Sequence, residues 1–176
     1  LYYKALLGAY QHGDFSKVYP IARGSSPAMV AAGALAFAGE QLRPIEWVGV
    51  LVVSIGIISL SWQRGADVRD VKGLGFALLT GSMIAVDVVI DGIWVRASGN
   101  AGSYIAWLFV TEGLTMAAVG IVLRRRDLVF TLRQSWARGL LGGLLSTLSY
   151  GIAIWAMSVG SMAHVAALRE TSVLMA

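Results

Sequence analysis

Five predominantly apolar runs, at residues 18–38, 45–62, 73–95, 103–123 and 139–159, dominate the chain, with short polar stretches between them. About 20 apolar residues wound as an α-helix match the ~30 Å hydrocarbon core of a bilayer. Lipid offers no partner to a bare peptide group, so only helices and closed barrels cross it. None of these runs alternates strictly between apolar and polar residues, as a barrel strand would. They predict membrane helices. Two cut runs flank them, residues 1–12 and a last one from about Ala163 onward. The chain begins without Met, inside an apolar stretch, and shows no cleavable signal peptide; it is expected to be a fragment of a longer protein.

Composition agrees. Hydrophobic residues make up 57% and charged residues 14%, against roughly 25% charged in a soluble domain. The mean hydropathy is +0.70. A soluble fold of this composition would lack the polar surface to cover itself. The expected class is an all-α integral membrane protein, a multi-pass bundle in a cell (inner or plasma) membrane. The chain has no cysteine, which excludes disulfides and thiolate metal sites. His12 and His164 have no second ligand at metal spacing, and no phosphate-binding Gly-x-x-x-x-Gly-Lys-Ser/Thr occurs. Neither a metal nor another cofactor is expected.

The net charge of +4 invites a nucleic-acid reading, but the basic residues fall between the runs. Lys17, then Arg64, Arg69 and Lys72, then Arg124, Arg125, Arg126, Arg133 and Arg138 lie in alternate polar stretches; the intervening ones hold only Arg43 and Arg96. Cytoplasmic loops carry the excess of Lys and Arg. This count places the first group in the cytoplasm and leaves no need for a nucleic-acid partner. Gly139-x-x-x-Gly143 and Gly142-x-x-x-Ser146 are spaced for close helix packing in lipid. General packing explains them more simply than a dimer motif, and a homo-oligomer stays open.

Arginine appears twice in matching apolar surroundings. Tyr19-Pro20-Ile21-Ala22-Arg23-Gly24-Ser25-Ser26 is paralleled by Ala167-Leu168-Arg169-Glu170-Thr171-Ser172. An offset of 146 maps Arg23 onto Arg169, and an offset of 147 maps Tyr3, Ala9 and Gly13 onto Tyr150, Ala156 and Gly160. The two arginine helices are the second and seventh runs, so they cross in opposite directions. That is an inverted-topology repeat, the ground plan of many secondary transporters. Completing it requires two further helices before Leu1 and one after Ala176, about ten in all. Residues 1–62 would close the first repeat (its helices 3–5), 63–72 would link the repeats, and 73–176 would form helices 6–9. A charge at mid-bilayer costs about 2.5–3.5 kcal/mol on insertion scales, so it normally faces a cavity or a partner. Snorkelling is the alternative for Arg23, about five residues into its run. The repetition favours the cavity.

Several of these blocks resemble EamA-type transporters of the drug/metabolite transporter superfamily. They are Gly13-Asp14-x-Ser16-x-x-Tyr19-Pro20-x-x-Arg23-Gly24, Gly39-Glu40 followed by Trp47-x-Gly49, Asp91-Gly92, and Ala166-Ala167-Leu168-Arg169-Glu170-Thr171-Ser172. The resemblance covers nearly the whole chain. It implies ten helices in two inverted five-helix repeats, a central cavity, and movement of small metabolites without ATP. Two departures stand out: Asp87 where an aromatic is commoner, and the added acid Glu112. The family's commonest orientation would put Arg124–Arg126 outside; the charge count puts them inside.

Other residues can carry chemistry. Asp87 and Asp91 are four apart, on one helix face, at about 21 and 27 Å along the run that begins at Gly73. Glu112 falls near the middle of its run, and Glu170 adjoins Arg169. These acids outnumber Arg23 and Arg169 within the runs. An acid in hydrocarbon is cheaper neutral than charged, so Asp87 or Glu112 is a candidate proton carrier; a helix-to-helix hydrogen bond is the plainer role. Pro27 would kink its helix beside Arg23. The candidate cavity residues are Tyr19, Arg23, Asp87, Asp91, Glu112, Arg169 and Glu170. Trp107, Tyr104, Tyr150 and Trp155 are lesser candidates, since aromatics near span ends often anchor at the interface.

The expected function is a secondary transporter of a small organic metabolite, with that solute and the lipid bilayer as its partners. A non-transporting scaffold or receptor would not need repeated buried charges. An intramembrane enzyme would need a matched nucleophile and base on facing helices, which the sequence does not supply.

Overall fold

Sequence punctuation sets the helix boundaries. In the computed structural model, which describes residues 15–63 and 71–175, α1 runs Phe15–Ala38 and stops at Gly39, whose φ of 67° only glycine adopts without strain. α2 (Pro44–Gln63) starts with proline, whose missing N–H costs nothing there. The Glu46 carboxylate reaches back to accept the Arg43 N–H at 2.7 Å, the returning half of a capping box. α3 (Val71–Ala97) ends two residues before Gly99, also at φ 67°. Asn100 then caps α4 (Ala101–Val159), its side-chain oxygen accepting the Ser103 N–H at 3.0 Å. α5 (Met162–Glu170) follows and continues into a 3-10 turn, Thr171–Met175. The described residues contain no strand. The cut run at 1–12 and most of the 63–72 link lie outside them.

Among the described residues, three stretches are long and apolar enough to cross a membrane: Gly73–Ala97, Ala101–Val122 and Ser135–Val159. They correspond to three of the five predicted runs. The run at 45–62 is helical, but its apolar part, Pro44–Leu60, is shorter. The run at 18–38 is also helical, and Arg23, Ser25, Ser26 and two prolines dilute its apolarity.

One boundary differs from the sequence reading. The Arg124–Arg138 stretch, expected as a polar loop, is helical, so the last two runs share the 59-residue α4. It contains no Gly or Pro to end a helix. The element is nonetheless not straight. The rings of Phe109 and Tyr150 meet edge to face, centroids 6.3 Å apart, and a Cβ on Gly151 would lie 3.4 Å from Ile105. A straight helix would separate residues 109 and 150 by about 62 Å. The course of α4 therefore reverses between them and lays its two apolar halves side by side.

The chain divides into two compact units, one drawn from residues 1–93 and 160–176, the other from 94–159. Within the first, α1 is central. Gly24 packs on Ser54 and Ile58 while Ala31 packs on Val50, so α1 and α2 are antiparallel. Ala22 meets Ala77 and Gly33 meets Val89, so α1 and α3 run the same way. Ala31 shares a core with Ala163 and Ala167 while Arg23 meets Glu170, so α5 is antiparallel to α1. Small residues allow these approaches. A Cβ on Gly24 would stand 2.7 Å from Ile58 Cγ1, and one on Gly81 would stand 2.7 Å from the Ala22 carbonyl oxygen and collide with the Ser25 hydroxyl.

Within the second unit, the glycines whose spacing suits close packing touch no other described element. Gly139, Gly142 and Gly143 have nothing within 4 Å of a would-be Cβ, and Leu140, Leu141, Leu144 and Leu145 around them are exposed. Arg96 secures the end of α4, donating Nε–H to the Met157 carbonyl at 2.9 Å. A cation there suits the negative end of the helix.

Candidate functional site

Arg23 is the ninth residue of α1, about 12 Å along it at 1.5 Å per residue. That is deeper than its place in the predicted run, because α1 starts at Phe15. Pro20 and Pro27 both lie inside the helix, three and four residues from Arg23. The guanidinium turns inward. Its Nη1 lies 3.2 Å from both Oε1 and Oε2 of Glu170, the last residue of α5. Arg169 converges on the same carboxylate, Nε at 3.3 Å and Nη2 at 3.1 Å from Oε1. The Tyr19 ring, one helical turn before Arg23, lies under its guanidinium at 5.4 Å from Cζ to the centroid.

The two arginines picked out by their matching surroundings thus meet at one carboxylate. Glu170 is fully buried, whereas the Arg23 and Arg169 side chains are 31% and 22% exposed. An isolated carboxylate buried this completely would be prohibitively costly; two guanidiniums offset that cost. Of the seven candidate residues, Tyr19, Arg23, Arg169 and Glu170 come together.

The other three are Asp87 and Asp91 on α3 and Glu112 on α4. Asp91 is 8% exposed and Asp87 is exposed, so the two aspartates straddle the edge of the buried face of α3. Glu112 is exposed on α4, in the other unit. Of the lesser aromatic candidates, Trp107 and Trp155 are largely exposed, and Tyr150 makes the ring contact within α4 already described.

Polar groups near the cluster on α1 and α2 include Ser26, which belongs to the repeated arginine motif, and Ser54, which the sequence did not mark. The hydroxyls of Ser26 and Ser54 are buried and, among the described residues, hydrogen-bond to nothing. Ser26 is three residues after Arg23, on the same side of α1. Glu40, which follows the glycine that ends α1, holds α5. Its carboxylate accepts the Met162 N–H at 3.1 and 3.2 Å and the Ser161 hydroxyl at 3.3 Å. A carboxylate suits the positive end of a helix. Its partners are more than 120 residues away, so only its Gly-Glu context marked it in the sequence.

A separate cavity of about 480 Å³ is lined by residues of α1 and α3, among them Met29, Phe37, Val89 and Ile93. Ser82 is its only polar side chain, so it can take an apolar group and offers no charge chemistry. Among the described residues, no three His, Cys, Asp or Glu side chains gather where a metal ion would sit.

No family model matches the chain, and no curated protein or solved structure matches it.

Proposed function

We propose that the protein is a secondary transporter that moves a small organic metabolite across a cell membrane by alternating access. One observation carries the reading: arginines on two antiparallel helices converge on a fully buried glutamate. As a device for stability this is a poor choice, because well-packed apolar residues serve as well or better than a buried ion pair. As a solute site it is economical, since the charges are already desolvated and held by packed helices. The chain is apolar and helical, and among the described residues three stretches are able to span a bilayer.

The finer plan belongs to the same proposal. The resemblance to EamA-type transporters and the offset of about 146 residues support ten helices in two inverted repeats. The antiparallel course of α1 and α5 fits that symmetry. Tyr19, Arg23, Arg169 and Glu170 form the solute-facing cluster, and Asp87, Asp91 and Glu112 are the acids available for proton coupling. Alternating access would separate and re-form contacts between helices, and the cluster joins α1 to α5.

The test is a solute screen by thermal shift on the full-length purified protein, followed by flux of the hits in proteoliposomes. Ligands stabilise the state that binds them by mass action. The proposal expects Arg23→Ala and Arg169→Ala to keep their helical signal and elution profile while losing both the shift and the flux. Undiminished flux in both variants would overturn it. So would variants that lose activity only because they no longer fold.

A further inference from the structure

A dissolved carboxylate or phosphate presents the same oxygens to a guanidinium as Glu170 does. We propose that Glu170 is a built-in counter-anion which a small oxyanionic solute displaces from Arg23 and Arg169. The inference rests on reading the cluster as a solute site, and adds the charge class of the solute and what it must compete with.

Three features of the geometry support displacement. First, the exposure is asymmetric: the anion is fully buried and both cations are partly open. A solute can reach the guanidiniums without first passing Glu170. Second, the contacts are loose. All lie at 3.1–3.3 Å, beyond the ~2.7–2.9 Å of a tight charge-assisted bond. Arg23 straddles both oxygens with a single nitrogen, and Arg169 directs two nitrogens at a single oxygen. In these four contacts the nitrogens and oxygens do not meet two to two, the fork that an unconstrained oxyanion can adopt. Third, each end of the exchange has a support. Arg23 stays positioned over Tyr19 when the carboxylate leaves. Glu170 sits where α5 passes into a 3-10 turn, a junction whose hydrogen bonding can shift by one residue.

The experiment measures binding of two probes, sodium phosphate and sodium acetate, to the full-length protein in detergent, with chloride at matched ionic strength as the reference. Glu170→Gln removes the competing charge and keeps the shape. Its apparent Kd for at least one probe should fall about tenfold or more relative to wild type, and Arg169→Gln added to it should abolish the gain. Glu46→Gln removes the same charge from an exposed pair and should leave affinity unchanged, which separates displacement from a general change in net charge. Should Glu170→Gln fail to fold, Glu170→Asp decides: its carboxylate is one methylene shorter, and it too should bind the probe more tightly than wild type.

Equal or weaker binding in both Glu170 variants would overturn the inference, as would no response to either probe in any variant. Flux is read separately in proteoliposomes. Oxyanion binding without any solute flux would sink the transporter reading alone. Flux with unaltered oxyanion affinity in the Glu170 variants would sink displacement alone.

Discussion

Nη1 of Arg23 lies 3.2 Å from both carboxylate oxygens of Glu170, a residue 147 positions further along the chain and wholly excluded from water. This contact ties α1 to α5, and its strength is measurable. Removing one partner of a sealed ion pair costs about 3–5 kcal/mol. Arg169 remains on Glu170 when Arg23 is removed, so Arg23→Ala should cost less, about 1–3 kcal/mol. A double-mutant cycle of Arg23→Ala and Glu170→Ala, followed by equilibrium unfolding in mixed micelles, should show coupling above about 1 kcal/mol, as expected for residues sharing one network. Additive effects would mean that the contact contributes little. The exposed Arg43–Glu46 pair, 3.3 Å apart with the Arg43 side chain 81% exposed, is the internal comparison and should show little coupling.

Part of this was legible in the sequence and part was not. Helicity followed from run length, and Arg23 and Arg169 stood out because a charge in an apolar run demands a reason. Glu170 is a candidate cavity residue through its place beside Arg169, with no partner across the fold assigned to it. Its pairing with Arg23 depends on the direction and register of α5 against α1, which the Ala31, Val50, Ala163 and Ala167 core sets. The Arg124–Arg138 stretch misled for a physical reason. Dense charge signals a water-exposed segment, but water exposure does not end a helix; Gly, Pro or a cap does. Glu40 was marked by its Gly-Glu context but its role was not, because a carboxylate that caps a distant helix leaves no local pattern.

Gly81 and Gly142 are both helical glycines, and they should respond oppositely to alanine. A Cβ on Gly81 would press on a backbone oxygen, that of Ala22, at 2.7 Å, and backbone cannot swing aside. Forcing a methyl into such a contact costs roughly 1–3 kcal/mol. Gly142 faces open space, where alanine gains up to about 1 kcal/mol from helix propensity alone. Thermal melting of the two variants in the same detergent checks this. Equal destabilisation would mean that Gly142 is covered in the assembled protein, and would make its face a contact with a second helix.

The reversal of α4 bears on membrane topology. If Ala101–Val122 and Ser135–Val159 each cross the bilayer, Ser98 and Ser135 must lie on opposite sides. These 176 residues hold no cysteine, so once any cysteine elsewhere in the full-length protein is replaced, Ser98→Cys and Ser135→Cys can be made one at a time in a silent background. By the positive-inside count, the concentration of arginine at 124–138 predicts Ser135 on the cytoplasmic side. A membrane-impermeant maleimide applied to intact cells should therefore label Ser98→Cys, and should label Ser135→Cys only after the cells are opened. Labelling of both from outside would mean that the first half of α4 does not cross. The exact converse pattern would keep both crossings and invert the protein. Lys17, Arg64 and Lys72 would then also lie outside, and the arginine count would have lost its power to orient this chain.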